Sequence, residues 1–164
     1  MRPTTDRVRE AVFNSLNSLG AIQGAVVLDL FAGTGALGIE ALSRGAERAV
    51  FVERNAKARA VIEANLSSTG LADRATVVTG TAEDHLDRVA DLVDLVLADP
   101  PYDYGAWPEL LARISGRCAP DALVVIESGA PVALPPGWLA ERAKSYGGTL
   151  VSFVRPPTSL PEQS

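Results

Sequence analysis

The sequence has little of the chemistry that builds disulfides or metal centres. Among its 164 residues it has one cysteine, Cys118, and one histidine, His85. A single cysteine excludes an internal disulfide and fits the cytoplasm, and the lack of a cysteine–histidine cluster argues against a zinc site. No apolar run is long enough to cross a bilayer, and the N-terminus lacks the apolar core of a signal peptide. We therefore expect a cytoplasmic protein with neither a metal nor a membrane partner.

Positive charge is also scarce. The chain has 15 lysines and arginines against 20 aspartates and glutamates, which gives a net charge of −5. This balance argues against broad, nonspecific binding of nucleic acid. A local basic patch remains open at the N-terminus, where Arg2, Arg7 and Arg9 stand against Asp6 and Glu10. On charge alone, these arginines fit a solvated helix start as well as an RNA contact.

Short apolar segments alternate with helical ones along the chain. Buried strands are predicted at 26–31, 49–52, 75–78, 93–98 and 122–126. Five βα repeats of this kind predict an α/β fold with a Rossmann-like, doubly wound, mainly parallel sheet. Two extended segments joined at Gly147-Gly148 predict a terminal hairpin, which brings an antiparallel strand and completes seven. We expect one domain over 1–155, followed by a disordered Pro- and Ser-rich tail over 156–164.

A glycine-rich turn between the first strand and its helix predicts a nucleotide-like ligand. The segment from Gly33 to Gly38 satisfies the pattern G-x-G-x-x-G. Glu53 closes the next strand, where a carboxylate can accept both hydroxyls of a ribose. The turn alone fits NAD, FAD or S-adenosylmethionine. Asp29 favours the last, because a carboxylate near the turn can bind its ammonium but repels a pyrophosphate. The alternative for Asp29 is a helix-capping role.

The loop after the third predicted strand can place an adenine ring. The backbone N–H of Ala82 would face a ring nitrogen, although helix capping explains Thr81 equally well. The complete set of predicted cofactor-binding residues is Thr5, Asp29, Phe31, Ala32, Gly33, Thr34, Gly35, Gly38, Glu53, Arg54, Thr81, Ala82 and Asp99.

The segment Asp99-Pro100-Pro101-Tyr102 follows the fourth predicted strand, at the edge where open α/β sheets bind ligands. Asp99 and the Pro100 carbonyl can accept hydrogen bonds from a base NH2, and Tyr102 can stack on the base. Positive charge grows on the nitrogen during methyl transfer, so a carboxylate stabilises the transition state more than the ground state. We predict Asp99, Pro100, Pro101 and Tyr102 as the catalytic residues; the alternative is a proline-rich strand exit with a capping aspartate.

This segment resembles the (Asp/Asn)-Pro-Pro-Tyr motif of class I S-adenosylmethionine-dependent amino-methyltransferases, whose members act on adenine N6, guanine N2 or a glutamine amide. Because it begins with an aspartate, the motif resembles that of the guanine-N2 enzymes more than the asparagine-led motif of the adenine enzymes. With the opening at 2–14 and the motif at 29–42, the chain resembles the RsmD family from Arg2 to about Val154. The resemblance implies methyl transfer to guanine N2 of 16S rRNA, with the rRNA or a small ribosomal subunit particle as partner of a monomeric enzyme.

The resemblance also implies that Arg2, Thr4, Arg7 and Arg9 contact RNA, and that Thr5 lies at the mouth of the pocket. Members of the family carry a short basic β-hairpin before this opening, whereas the present sequence has Met1 directly before it. We therefore expect weak RNA binding.

Three other functions are alternatives to guanine-N2 methyl transfer. An adenine-N6 or other amino-methyltransferase acting on nucleic acid would use the same motifs. A non-catalytic RNA or ribosome-assembly module would bind RNA without transferring a methyl group. An NAD-dependent oxidoreductase is disfavoured, because the sequence shows no evident acid for hydride transfer.

Overall fold

The computed structural model describes residues 5–89 and 91–157. Its helices are α1 (Thr5–Ser18), α2 (Ala36–Ser43), α3 (Ala56–Thr69), α4 (Ala82–Arg88) and α5 (Trp107–Ser115). Its strands are β1 (Val26–Asp29), β2 (Arg48–Glu53), β3 (Ala75–Thr79), β4 (Val93–Ala98), β5 (Cys118–Ser128), β6 (Leu139–Tyr146) and β7 (Thr149–Arg155). The predicted disordered tail lies outside the described residues from position 158 onward.

Within the described ranges the strands form one sheet in the order β3-β2-β1-β4-β5-β7-β6. Strands β1 to β5 are parallel, and β7 runs antiparallel to both β5 and β6. Tyr146 pairs with Thr149 across the Gly147-Gly148 turn, which confirms the predicted hairpin. The structure confirms the predicted α/β fold with a doubly wound, mainly parallel sheet of seven strands. The number of βα repeats is four rather than five, because β5 leads through an irregular link, 129–138, into the hairpin.

The strand order places the switch point between β1 and β4. Asp29 pairs with Leu97, so the loops that follow these two strands leave the sheet side by side. Ligands of open α/β sheets bind at this position because the flanking connections diverge to opposite faces. The topology therefore brings the glycine-rich turn and the Asp99–Tyr102 segment to one crevice.

Two apolar cores flank the sheet. Helices α1, α2 and α3 cover one face, with buried side chains such as Phe13, Leu42 and Ile62. Helices α4 and α5 cover the other face with Leu86 and Leu110. The short strands are apolar on both faces because both faces are covered, as is usual for parallel sheets. Among the described residues, none of the helices has the length and apolar character that a membrane crossing needs.

Gly38 sets how closely α2 approaches the sheet. A Cβ atom at this position would lie 2.4 Å from Cε2 of Phe51, whose ring is fully buried on β2. Neither the ring nor the helix has space to move away in a close-packed interior. Close packing, and not backbone conformation, therefore requires glycine at position 38, because φ at this position is not positive.

Gly38→Ala is expected to lower the free energy of unfolding by about 1–3 kcal/mol, the usual cost of overpacking a core. Gly116→Ala is the matched control, because its Cβ would meet only the Arg113 carbonyl oxygen at an ordinary 3.6 Å and its φ is −75°. Chemical denaturation of both variants measures the difference. Equal stabilities of the two variants would show that Phe51 does not confine Gly38.

Candidate active site

The glycine-rich turn leaves β1 in a conformation that needs glycine. Gly33 and Gly35 have φ values of 57° and 83°, in the left-handed region that side chains disfavour. The Ala32 N–H donates to the Val52 carbonyl, which ties the turn to β2. A Cβ at Gly33 would meet no atom within 4 Å, so this residue borders open space. The turn therefore exposes backbone to a ligand.

A cavity of about 250 Å³ opens over this turn, and we name it the glycine-turn cavity. Its wall includes Phe31, Ala32, Gly33 and Thr34 from the turn, together with Asp99 from β4. Five of the predicted cofactor residues thus line this cavity, and one of them, Asp99, is also a predicted catalytic residue.

Glu53 organises the turn from the end of β2. Its Oε1 accepts a hydrogen bond of 2.9 Å from the Gly33 N–H, and its Oε2 accepts one of 2.9 Å from the Asn55 N–H. Arg54 follows with its carbonyl accepting from Arg59 Nη1. Neither Glu53 nor Arg54 forms part of the glycine-turn cavity wall.

Asp29 lies beneath the turn and is 1% exposed. Its Oδ2 accepts a hydrogen bond of 3.1 Å from the N–H of Gly38, the third residue of α2, so the carboxylate caps this helix. Burial raises the pKa of Asp29 to about 7; the Gly38 N–H opposes this shift, while the nearby carboxylates of Asp99 and Glu53 add to it. The capping alternative is thus realised in the structure, and contact with an ammonium stays a prediction.

The loop after β3 likewise caps a helix. Thr81 Oγ1 accepts a hydrogen bond of 3.1 Å from the Asp84 N–H at the start of α4, and Ala82 is buried. The neighbouring Glu83 accepts a hydrogen bond of 2.8 Å from the Tyr104 hydroxyl. This bond ties the loop after β3 to the loop after β4, which links the predicted adenine and base sites physically.

A second cavity, of about 480 Å³, opens beside the Asp99–Tyr102 segment, and we name it the Pro-Pro cavity. Asp99, Pro100, Pro101 and Tyr102 all line it. Tyr102 is 90% exposed, and its ring lies against Gly129, where an added Cβ would come within 2.6 Å of Cε2. The ring is therefore placed at the rim, where it can stack on a flat ligand.

Aromatic side chains form one wall of the Pro-Pro cavity. Tyr104 meets Phe31 and Trp107 edge to face, with ring centroids 5.4 and 5.3 Å apart. Burial and the hydrogen bond to Glu83 raise the pKa of the Tyr104 hydroxyl. Trp107 packs against the core and also lines the cavity.

The two cavities meet at Asp99, Glu127 and Thr149, which belong to both walls. Glu127 and Thr149 are each only 8% exposed. Ala98 pairs with Ile126, so Asp99 and Glu127 each follow the last paired residue of adjacent parallel strands. A group passed from one cavity to the other would cross this junction.

The N-terminal helix approaches the same crevice. Val8 and Arg9 line the glycine-turn cavity, and Arg9 forms ion pairs with Asp6 at 3.3 Å and with Glu40 at 3.6 Å. Arg7 is exposed. Arg2 and Thr4, predicted to contact RNA, lie outside the described residues, as does the side chain of Thr5.

Three further residues that were not predicted from the sequence line the Pro-Pro cavity, namely Glu127, Thr149 and Tyr104. Glu127 carries the same local signal as Asp99, an acid directly after a buried apolar strand, and could have been found by it. Thr149 and Tyr104 carry no such signal, because their positions depend on the hairpin and on the path of the loop after β4.

The fold and the relatives of this chain define a methyltransferase of the Rossmann-like class. The family model described as "Conserved hypothetical protein 95" matches residues 1–155, and the chain belongs to this family, the RsmD family.

Relatives of known sequence and structure cover most of the chain. The "Ribosomal RNA small subunit methyltransferase D" of Escherichia coli K12 is 39% identical over 153 residues, which is 90% of this chain and 75% of that protein. The protein of the same name from Haemophilus influenzae is 31% identical and covers 93% of this chain and 81% of its own length. The solved structure of yhhF from Escherichia coli matches with a TM-score of 0.87 and 34% identity, over 97% of this chain and 89% of that one.

Proposed function

We propose that this protein transfers a methyl group from S-adenosylmethionine to the N2 atom of a guanine in 16S rRNA of the small ribosomal subunit. The observation that carries the proposal is the junction of the two cavities at Asp99. A donor bound over the glycine-rich turn and a base bound beside Pro100 and Pro101 would meet there. The relatives named ribosomal RNA small subunit methyltransferase D support the rRNA substrate.

The residues of the turn fit S-adenosylmethionine. Open space in front of Gly33 gives the backbone room for the ligand, and the carboxylates of Asp29 and Glu53 suit a cation and a diol. The same two carboxylates would repel a pyrophosphate, which disfavours NAD and FAD. When bound, S-adenosylmethionine would supply an electrophilic methyl group on a sulfonium.

The chain's own residues would act on the base. Asp99 and the Pro100 carbonyl would accept hydrogen bonds from the two N2 hydrogens and direct the nitrogen toward the donor. As the N–C bond forms and the C–S bond breaks, N2 gains positive charge, which Asp99 stabilises before the proton passes to solvent. Tyr102 would stack on the base after it leaves its own stack. Arg7 and Arg9, with Arg2 and Thr4, would contact the RNA.

The test incubates purified protein with methyl-labelled S-adenosylmethionine and either 16S rRNA or small-subunit particles, followed by nucleoside mass spectrometry. N2-methylguanosine is the expected product. N6-methyladenosine would contradict the guanine assignment, and tight RNA binding without any methylated nucleoside would support the non-catalytic module instead. Comparison of the two RNA preparations also identifies which of them is the substrate.

A further inference from the structure

We propose that Glu127 is the specificity-determining residue that selects guanine by accepting a hydrogen bond from its N1–H. The inference rests on the proposed function, because it assigns a role at the same site. Glu127 lies at the junction of the two cavities, beside Asp99 and only 8% exposed.

The geometry of the sheet places a second carboxylate next to Asp99. Ala98 and Ile126 pair in parallel register, and adjacent strands lie about 4.8 Å apart. Asp99 and Glu127, each one residue further, therefore lie side by side at this edge of the sheet, where Glu127 still pairs with Val151 of β7. Both line the Pro-Pro cavity and the glycine-turn cavity, so both carboxyl groups lie near the place where a methyl group would be transferred.

The edge of guanine fits two adjacent acceptors. Its N2 amino group and its N1–H are neighbouring donors on one side of the ring. If Asp99 accepts from N2, an acceptor one strand away can take N1–H without a change in the orientation of the base. An ionised carboxylate accepts hydrogen bonds but cannot donate one. Glu127 would therefore bind a base with a proton on N1 and would not bind a base with a lone pair there.

The same carboxylate would reject purines that lack N1–H. In adenine and in 2-aminopurine, N1 carries a lone pair, which would face the Glu127 oxygen without a proton between them. A polar group buried without a partner costs far more than one left in water. 2-Aminopurine is the sharper probe of the two, because it retains the reacting 2-amino group.

The test replaces the methylated guanine, located by mass spectrometry of the wild-type product, with 2-aminopurine in an RNA fragment. Wild-type protein is expected to methylate guanine at least about 100-fold faster than 2-aminopurine. Glu127→Gln is expected to reduce this ratio at least about tenfold, because the amide N–H2 can donate to the N1 lone pair. Glu127→Asp retains the charge and is expected to keep the preference for guanine at a lower rate.

Glu141→Gln is the control, since it makes the same change on the exposed strand β6, where Glu141 pairs with Arg155. It is expected to leave both rates unchanged. An unchanged guanine to 2-aminopurine ratio in Glu127→Gln, or equal or complete loss of both activities, would overturn the inference while the proposed function stands. Failure of the wild type to methylate guanine would overturn the proposed function and the inference with it.

Discussion

Replacement of Asp99 by alanine is expected to lower the rate of methyl transfer by about 10²- to 10³-fold, the usual loss when one preorganised electrostatic group is removed from an active site. An exocyclic amine is a poor nucleophile, because its lone pair is delocalised into the ring. Asp99 would orient that amine and stabilise the positive charge that forms on it. The Pro100 carbonyl remains in the variant, so some orientation of the base survives. Single-turnover methylation of rRNA measures the effect on the chemical step.

Asp103→Ala is the matched control, because Asp103 is an exposed carboxylate in the same loop. It is expected to react at the wild-type rate. Binding of S-adenosylhomocysteine, measured by calorimetry, separates lost chemistry from lost binding in Asp99→Ala, because Asp99 also lines the glycine-turn cavity. If Asp99→Ala methylates as fast as Asp103→Ala, the assigned chemistry is wrong.

Asp29→Asn is expected to stabilise the fold at neutral pH and to weaken binding of the cofactor. The folded protein raises the pKa of Asp29 from 3.8 to about 7, so the folded state holds a proton that the unfolded chain has lost. Between these two values, wild-type stability therefore falls as pH rises, by about 1.4 kcal/mol per pH unit. Above about pH 7 the stability falls no further. Below pH 3.8, the pKa of Asp29 in the unfolded chain, none of the stability has been lost.

Asparagine does not titrate, so it adds no pH dependence to the stability. Its Oδ1 can still accept the hydrogen bond from the Gly38 N–H. The stability of Asp29→Asn relative to the wild type should therefore increase from about pH 4 to pH 7 and then level off. Denaturation at several pH values measures this difference. Affinity for S-adenosylmethionine should fall by roughly 10- to 100-fold if the carboxylate faces the ammonium. Unchanged affinity would show that Asp29 is only a helix cap.

Such a gain in stability at the expense of binding is expected where a site holds like charges together. Asp99 and Glu53 both raise the pKa of Asp29, so three carboxylates share the carboxyl edge of the sheet. A bound cation would relieve their mutual repulsion. Binding of the proposed ligand would therefore account for the buried carboxylates, in line with the general trade-off between stability and activity.

The sequence predicted those parts of the site whose signal is local. The glycine-rich turn and the Asp99–Tyr102 segment each follow a buried strand, and the strand order of the sheet brings them together. The third glycine was predicted from the same pattern, but the reason for it is Phe51, on a strand 13 residues further along the chain. A contact of that kind depends on packing, which spacing does not reveal.

Of the missed residues only Glu127 carries a local signal, an acid directly after an apolar strand, whereas Thr149 and Tyr104 depend on structure that no local pattern describes. Glu127 reaches the site because β5 lies beside β4, and Thr149 because the hairpin folds β7 back against β5. Tyr104 contributes through its hydrogen bond to Glu83, and it lies in the loop after β4, whose path no sequence pattern predicts. Asp29 shows a further limit, because helix capping and cofactor binding require the same carboxylate at the same position.

The most direct test of the central claim is mass spectrometry of 16S rRNA from a strain that lacks the gene, complemented with either the wild-type protein or Asp99→Ala. Our account predicts that one N2-methylguanosine is missing in the deletion strain, returns with the wild-type protein and stays absent with Asp99→Ala. An rRNA with the same methylated guanines in the presence and absence of the gene would contradict it.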